Sequence, residues 1–297
     1  MKVNVSSVND FMQCRFRWWA KWVMNRVPVA TAPALDGGKL LHLIFEDAFK
    51  GQNIQSAART RCGEYRKLIG TAHPASRIGA MEAAEQIEDL IEALPLWQDK
   101  FKITKVLEVE QAFEWPDPVI PGLIWVGRPD RRVLASGRTW HVQNRGLAAG
   151  MNFGTYCRLR KRDYHEHLYA EEAAFKYLKW PVGGSVFNLV RKLKYRTNVG
   201  KKNEKTKTAE EMFYQQAMAI NLKSPLHKSV MQSLRGHVLE MNRVRHEWEA
   251  EGIVPSPNEK QNGGYGGNSE DPYFKVLIGE ITLNDPDYFK EREDLYA

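Results

Sequence analysis

The residues able to do chemistry fall in a short ordered series. His42 and Glu46 stand at i and i+4 in GKLLHLIFEDAFKG (38–51), so a helix there carries both on one face. Glu110 lies in the alternating run KVLEVEQAFEW (105–115). Asp130 ends Gly127-Arg128-Pro129-Asp130, and Gln143 and Arg145 follow in His141-Val142-Gln143-Asn144-Arg145-Gly146. Side chains alternate along a strand, so positions 143 and 145 project to the same face. Carboxylate oxygens and an imidazole are ligands for a divalent ion, and a cation beside them can hold a phosphate. Together they are the ingredients of metal-assisted phosphodiester cleavage.

The elements that must position these side chains follow from periodicity. Residues 6–24 read as a helix capped by Ser6 or Ser7, with Val8, Phe11, Met12, Trp18, Trp19, Trp22 and Val23 at helical spacing. Residues 28–38 are a loop by their Pro and Gly content. A helix over 38–51 buries Leu40, Leu41, Ile44, Phe45 and Ala48, and helices over 54–69 and 79–94 follow. The period then switches to two. Strands are expected over 105–115, 123–135 and 139–145, the last two joined by a tight turn at Ser136-Gly137-Arg138, giving an antiparallel meander. In the first of them Leu107, Val109 and Gln111 face one way and Glu108 and Glu110 the other. Residues 155–179 are helical, 183–196 (GGSVFNLVRKLKYR) form a fourth strand, 209–220 and 226–250 are helical, and 274–283 form a last short strand. This succession predicts a mixed α/β fold rather than a strictly alternating one. The expected division is a core with N-terminal helices over 1–196, and a basic connector with a C-terminal helical extension packed on the core over 197–297.

Composition narrows the classes. A chain of 297 residues, 43% hydrophobic and 27% charged, can bury a full core. No apolar run approaches the roughly 20 residues of a membrane span. The start MKVNVSSVND lacks the apolar region of a secretory signal, so an intracellular protein is expected. The formal charge of +7 favours a polyanionic partner. Arg191, Lys192, Lys194, Arg196, Lys201 and Lys202, continued by Lys205 and Lys207, form the densest basic stretch and suit phosphate contacts without base readout. The connector TNVGKKNEKTKTAEE also reads simply as a solvated loop. The 3 cysteines, Cys14, Cys62 and Cys157, are scattered and form no CxxC, so no zinc site is expected. Neither G-x-x-x-x-G-K-[ST] nor G-x-S-x-G occurs. His165 and His167, at i and i+2, diverge on a helix and cannot share a metal.

In its order the series resembles the PD-(D/E)XK nuclease superfamily, in the RecB-like, phage-exonuclease-like branch that also includes the CRISPR-adaptation nucleases. The resemblance runs from about residue 6 to 196. It takes in the opening helix SSVNDFMQCRFRWW, then Gly38, His42 and Glu46, then Glu110, then Gly127 to Asp130. The (D/E)-x-K position falls on Gln143 and Arg145, the Q-x-x-x-Y helix on His165 and Tyr169, and the strand after it on GSVFNLVRKLKYR. The resemblance implies a restriction-endonuclease-like mixed sheet flanked by helices, a magnesium or manganese ion, and DNA as substrate. It implies that His42, Asp130 and Gln143, with Glu110, hold the metal, and that Arg145 joins His42, Asp130 and Gln143 in catalysis. Glu46, His165 and Tyr169 take supporting places.

The departures bear on the chemistry. Gln143 offers a metal a carbonyl oxygen but no charge. Arg145 keeps its proton near neutral pH, and its planar fork clamps a phosphate bidentately better than it positions a water. Glu110 or Glu46 is available to replace the missing carboxylate. Some relatives hold an iron–sulfur cluster on one early and three late cysteines. Cys14 takes the early place, but NGGYGGNSEDPYF has none, so no cluster is expected and Cys14 is a small buried residue. Three readings follow. One is a metal-dependent deoxyribonuclease with a variant site. Another is a degenerate nuclease fold that binds DNA or a protein without cutting. The third is an interaction component of a recombination, replication or phage-type assembly, docking through its tryptophan-rich helix.

Overall fold

The chain follows its changes of period, with its breaks in places that periodicity does not mark. The structure, a computed structural model, describes residues 1–29, 33–71, 74–148, 150–256, 271–277 and 279–292. In chain order it forms β1 (Lys2–Val3), α1 (Val5–Gln13), α2 (Arg15–Trp18), β2 (Arg26–Pro28), α3 (Pro33–Phe49), α4 (Ile54–Thr71) and α5 (Pro74–Ile91). Then come β3 (Lys105–Val109), β4 (Phe113–Pro116), β5 (Ile124–Gly127), β6 (Arg131–Ala135), β7 (Arg138–Ala148), α6 (Phe153–Arg160), α7 (Tyr164–Lys176) and β8 (Val182–Lys192). The rest is β9 (Arg196–Thr197), β10 (Lys205–Thr206), α8 (Ala209–Met212), β11 (Phe213–Ala219), α9 (Pro225–Glu251), α10 (Pro272–Leu277) and β12 (Phe289–Glu291). The fold is mixed α/β. Its contacts divide it into one unit of residues 1–30, 112–127 and 228–297 and another of 31–111 and 128–227.

In the first unit, β5 pairs in parallel with β1 and antiparallel with β4, with Trp115 opposite Trp125. The opening helix is not continuous. Asn4, rather than a serine, caps α1 by accepting from Ser7 N at 2.7 Å. Cys14 is extended, and its Sγ accepts from Arg17 N at 3.4 Å to start α2. The break turns Trp18 back onto Phe11, ring edge to face at 5.1 Å, and lets its indole N–H donate to Ser7 Oγ at 3.0 Å. Val8, Phe11, Trp18 and Trp19 are buried, whereas Met12, on the expected stripe, is exposed because the helix ends beside it.

The second unit is built on a five-stranded sheet in the order β11-β8-β7-β6-β3. β3, β6 and β7 run antiparallel, β7 and β8 parallel, and β8 and β11 antiparallel. Leu40, Leu41, Ile44 and Phe45 of α3 pack with Ile87 and Leu90 of α5 and Val190 of β8. Burying each such side chain stabilises the unit by about 1.5–3 kcal/mol. Phe153 and Cys157 of α6 pack with Leu147, Phe187 and Leu189, so the strands carry helices on both faces. Gly183 and Gly184 open β8 where the Trp140 ring and the β11 backbone approach too closely for any side chain.

The expected meander is present, but its strands are shorter. The run 105–115 splits because Glu110 turns into the left-handed region at φ 48°. A bulge between Val106 and Glu108 also breaks the expected alternation. The run 123–135 splits at Arg128-Pro129-Asp130, where Pro129 has no N–H to give a ladder. Residues 213–219 are strand, not helix: after the Thr208–Glu211 capping box, pairing with β8 overrides the local helical preference. Residues 272–277 are helix, not strand, started by Pro272 with Asp271 Oδ1 accepting from Tyr273 N. The expected loop 28–38 ends early, because α3 starts at Pro33. Inside the lysine-rich connector β9 pairs antiparallel with β10.

Candidate metal centre

A helix, a strand end and a turn converge in the second unit. On α3, His42 flanks the buried Leu41, Ile44 and Phe45 stripe and stays partly exposed. Glu110 follows β3, and its N–H donates to Asp130 O at 3.0 Å. Its left-handed backbone turns it away from the path of β3. Asp130 immediately precedes β6 and is buried, with Oδ2 accepting from Asn144 N of β7 at 2.6 Å. The ligand atoms of His42, Glu110 and Asp130 all lie within 4.8 Å of one another. His42 Nδ1 is 3.4 Å from Asp130 Oδ2 and 3.9 Å from Glu110 Oε1.

Arg145 reaches into the same cluster. Its Nη1 lies 3.0 Å from His42 Nε2 and 3.8 Å from Asp130 Oδ2, and its Nη2 donates to Gln143 Oε1 at 2.5 Å. A guanidinium can only donate. His42 Nε2 is therefore the acceptor, and the ring proton of a neutral His42 sits on Nδ1, facing the carboxylates. Burial disfavours the Arg145 charge, but Asp130 first, then Tyr156, Glu166 and Tyr169, outweigh it and hold its proton above the ordinary arginine value. Arg128 Nε stands 3.4 Å from Glu110 Oε2.

Two carboxylates and one imidazole from separate elements suit a hard divalent ion such as Mg²⁺ or Mn²⁺. The Gln143 carbonyl is engaged by Arg145, so the candidate ligand residues gathered here are His42, Glu110 and Asp130. Glu46 is not among them: it pairs with Lys50 at 2.5 Å along α3. His165 pairs with Asp163 at 3.2 Å and meets the Tyr169 ring. Tyr169 comes closer to the centre. Burial, and next the Asp130 charge, push its hydroxyl pKa up, and the hydroxyl bonds the Arg128 backbone.

Other polar groups frame the centre without being marked in the sequence. His141 shares the β7 face of Gln143 and Arg145. Its Nε2 lies 2.7 Å from both Glu166 Oε2 and Ser185 Oγ, and all three residues are buried. Serine and glutamate meet one nitrogen out of reach of water, which makes this a packing network and not a nucleophile with its base. On the opposite β7 face, Asn144 Oδ1 accepts from Asn188 Nδ2, and Asn188 Oδ1 accepts from Gln215 Nε2. Gln215 Nε2 also donates to Asp99 Oδ1, whose Oδ2 accepts from Arg131. This chain of bonds leads back to the residue beside Asp130. Strand alternation could have flagged His141; pairing across β8 and β11 could not have been read from one strand.

The basic stretch is unevenly available. Lys194, Lys201 and Lys202 are exposed. Arg196 pairs with Glu92 at 3.0 Å, and Arg191 lies over the Phe153 ring at 4.2 Å. Lys192 is half-buried, and burial pulls its pKa down.

A family model for the PD-(D/E)XK nuclease superfamily matches residues 2–143, a little under half of the chain. The mixed sheet and its flanking helices agree with the restriction-endonuclease-like fold of that superfamily. No curated protein matches the chain.

Proposed function

We propose that this protein is a divalent-metal-dependent deoxyribonuclease with a variant centre. The observation that carries the reading is the convergence of His42, Glu110 and Asp130 within 4.8 Å, each from a different element. Asp130, pinned by the Asn144 N–H, is the fixed ligand. Glu110 supplies the second negative charge that Gln143 lacks. When bound, an ion here supplies Lewis-acid stabilisation of charge on a phosphoryl oxygen. Arg145 holds a phosphate by its planar fork, and the exposed Lys194, Lys201 and Lys202 hold the DNA backbone farther along. The RecB-like, phage-exonuclease-like resemblance favours linear DNA as substrate.

Purified full-length protein should cleave linear single- or double-stranded DNA with Mg²⁺ or Mn²⁺, stop with chelator, and lose cleavage to background in Asp130→Ala. Absence of cleavage on both DNA forms with both metals would sink the enzymatic reading. A second reading, a fold that binds DNA without cutting it, is favoured by the engagement of Arg145 with both His42 and Gln143. A guanidinium seated there leaves fewer ligand atoms turned toward an ion.

A further inference from the structure

We infer that Arg145 is a built-in competitor of the metal, displaced by a phosphate of the substrate, so that metal and nucleic acid bind cooperatively. The inference rests on the proposed metal centre and adds its regulation.

Arg145 takes up an acceptor on each of two neighbours. Its Nη1 occupies His42 Nε2, and its Nη2 occupies Gln143 Oε1. Because the guanidinium has no acceptor, His42 must keep its proton on Nδ1. That nitrogen faces Asp130 and Glu110, so its lone pair is withheld from an ion shared with them. Offering Nδ1 as a ligand requires the ring proton to move to Nε2. An Nε2–H cannot face an arginine N–H, so Arg145 has to leave first. The two arrangements exclude each other without any change in His42 charge.

Gln143 repeats the logic. Its carbonyl end is turned to Arg145, and its Nε2 is buried with no hydrogen-bond partner among the described residues. A buried amide hydrogen left unpaired is costly. Arg145 fixes that orientation, because flipping the amide would set N–H against N–H. With Arg145 gone, Gln143 can rotate and present its oxygen. Departure of one cation thus makes two ligand atoms available, and removes a positive charge from beside Asp130.

A phosphate is the group chemically suited to draw Arg145 away. It matches the guanidinium fork bidentately with charged oxygens, whereas the resting arginine hydrogen-bonds only neutral acceptors, His42 Nε2, Gln143 Oε1 and the Asn144 carbonyl, with the Asp130 carboxylate 3.8 Å away. The arginine is also partly exposed, with 29% of its side-chain surface accessible, so an incoming phosphate can reach it.

The test is Mn²⁺ titration calorimetry on full-length protein stripped of metal, with and without a phosphorothioate oligodeoxynucleotide, corrected for ion uptake by the oligonucleotide alone. Arg145→Met should bind Mn²⁺ at least about tenfold more tightly than the unaltered protein, the step worth about 1.4 kcal/mol. The oligonucleotide should tighten Mn²⁺ binding to the unaltered protein by a similar factor, and change it little in Arg145→Met. Nitrogen NMR of His42 in the unaltered protein should show the Nδ1–H tautomer without metal, and the Nε2–H tautomer with Mg²⁺ and oligonucleotide together. Equal or weaker Mn²⁺ binding by a folded Arg145→Met would overturn the inference. So would an oligonucleotide without effect on the unaltered protein, a result that needs no variant to fold. If Mn²⁺ binding depends on Asp130 while Arg145→Met leaves it unchanged, the competition fails and the metal centre stands. If Asp130→Ala leaves Mn²⁺ binding unchanged, the centre itself fails and the competition with it.

Discussion

An ammonium and a guanidinium at position 145 would behave differently. Arg145 spans His42 and Gln143 with two nitrogens at once, which a lysine cannot do. Gln143→Glu and Arg145→Lys together add a carboxylate and remove the fork. Mn²⁺ should then bind more tightly, while the cleavage rate at saturating Mn²⁺ falls by about tenfold, or about 1.4 kcal/mol of barrier, because the phosphate clamp proposed for Arg145 is lost. Quenched-flow or gel-based rates on linear DNA measure this. A rise from background to measurable cleavage would instead identify the natural centre as degenerate. The gathering of His42, Glu110 and Asp130 was legible in the sequence, because residue types able to ligate a metal stand there in a fixed order. Arg145 was legible as a cation on the strand face of Gln143, but its grip on His42 was not, since contact between residues 42 and 145 is set by how α3 lies on β7.

Elements are held by buried polar groups as much as by apolar stripes. Asp117, in the turn after β4, shows this within the first unit. Its Oδ1 accepts from Val119 N and Ile120 N, and its Oδ2 from Trp125 Nε1 and Arg235 Nε, at 2.7–2.8 Å. Burial raises its pKa, but the bonds from Trp125, Arg235, Ile120 and Val119 outweigh burial and hold the carboxyl below its ordinary value. Its contribution is therefore full above the unfolded carboxyl pKa near about 3.9 and is lost as pH falls through the lower folded value. Asp117→Ala should cost about 3 kcal/mol in urea denaturation, because it removes the acceptor shared by the buried Trp125 indole, Arg235 and two backbone N–H groups. Asp117→Asn should flatten the acid limb of stability below about pH 4. An unchanged profile would contradict the assignment. The same kind of local bond explains what periodicity missed. Asn4 starts α1 ahead of the expected serine cap, Cys14 starts a second helix inside the expected single one, Asp271 starts a helix where the pattern showed a strand, and the left-handed Glu110 ended a strand the pattern would have continued.

Across the chain, the surplus of positive charge, +7, suits a polyanion, and Lys194, Lys201 and Lys202 of the basic stretch are exposed. Among the described residues no helix is long and apolar enough to cross a membrane. The order helix, meander, helix, strand was visible in the sequence. The division into two units was not, because segments 112–127 and 228–297 join the amino-terminal residues through long-range contacts such as β1 with β5, β2 with β12 and Arg15 with Glu240. The most direct test of the metal centre is anomalous diffraction at the manganese edge from crystals of the protein grown with Mn²⁺ and a phosphorothioate oligodeoxynucleotide. The expected result is a peak coordinated by Asp130, Glu110 and His42 Nδ1, with Arg145 turned onto a phosphate. DNA bound with no peak among those residues, or a peak there with Arg145 still seated on His42, would contradict the account.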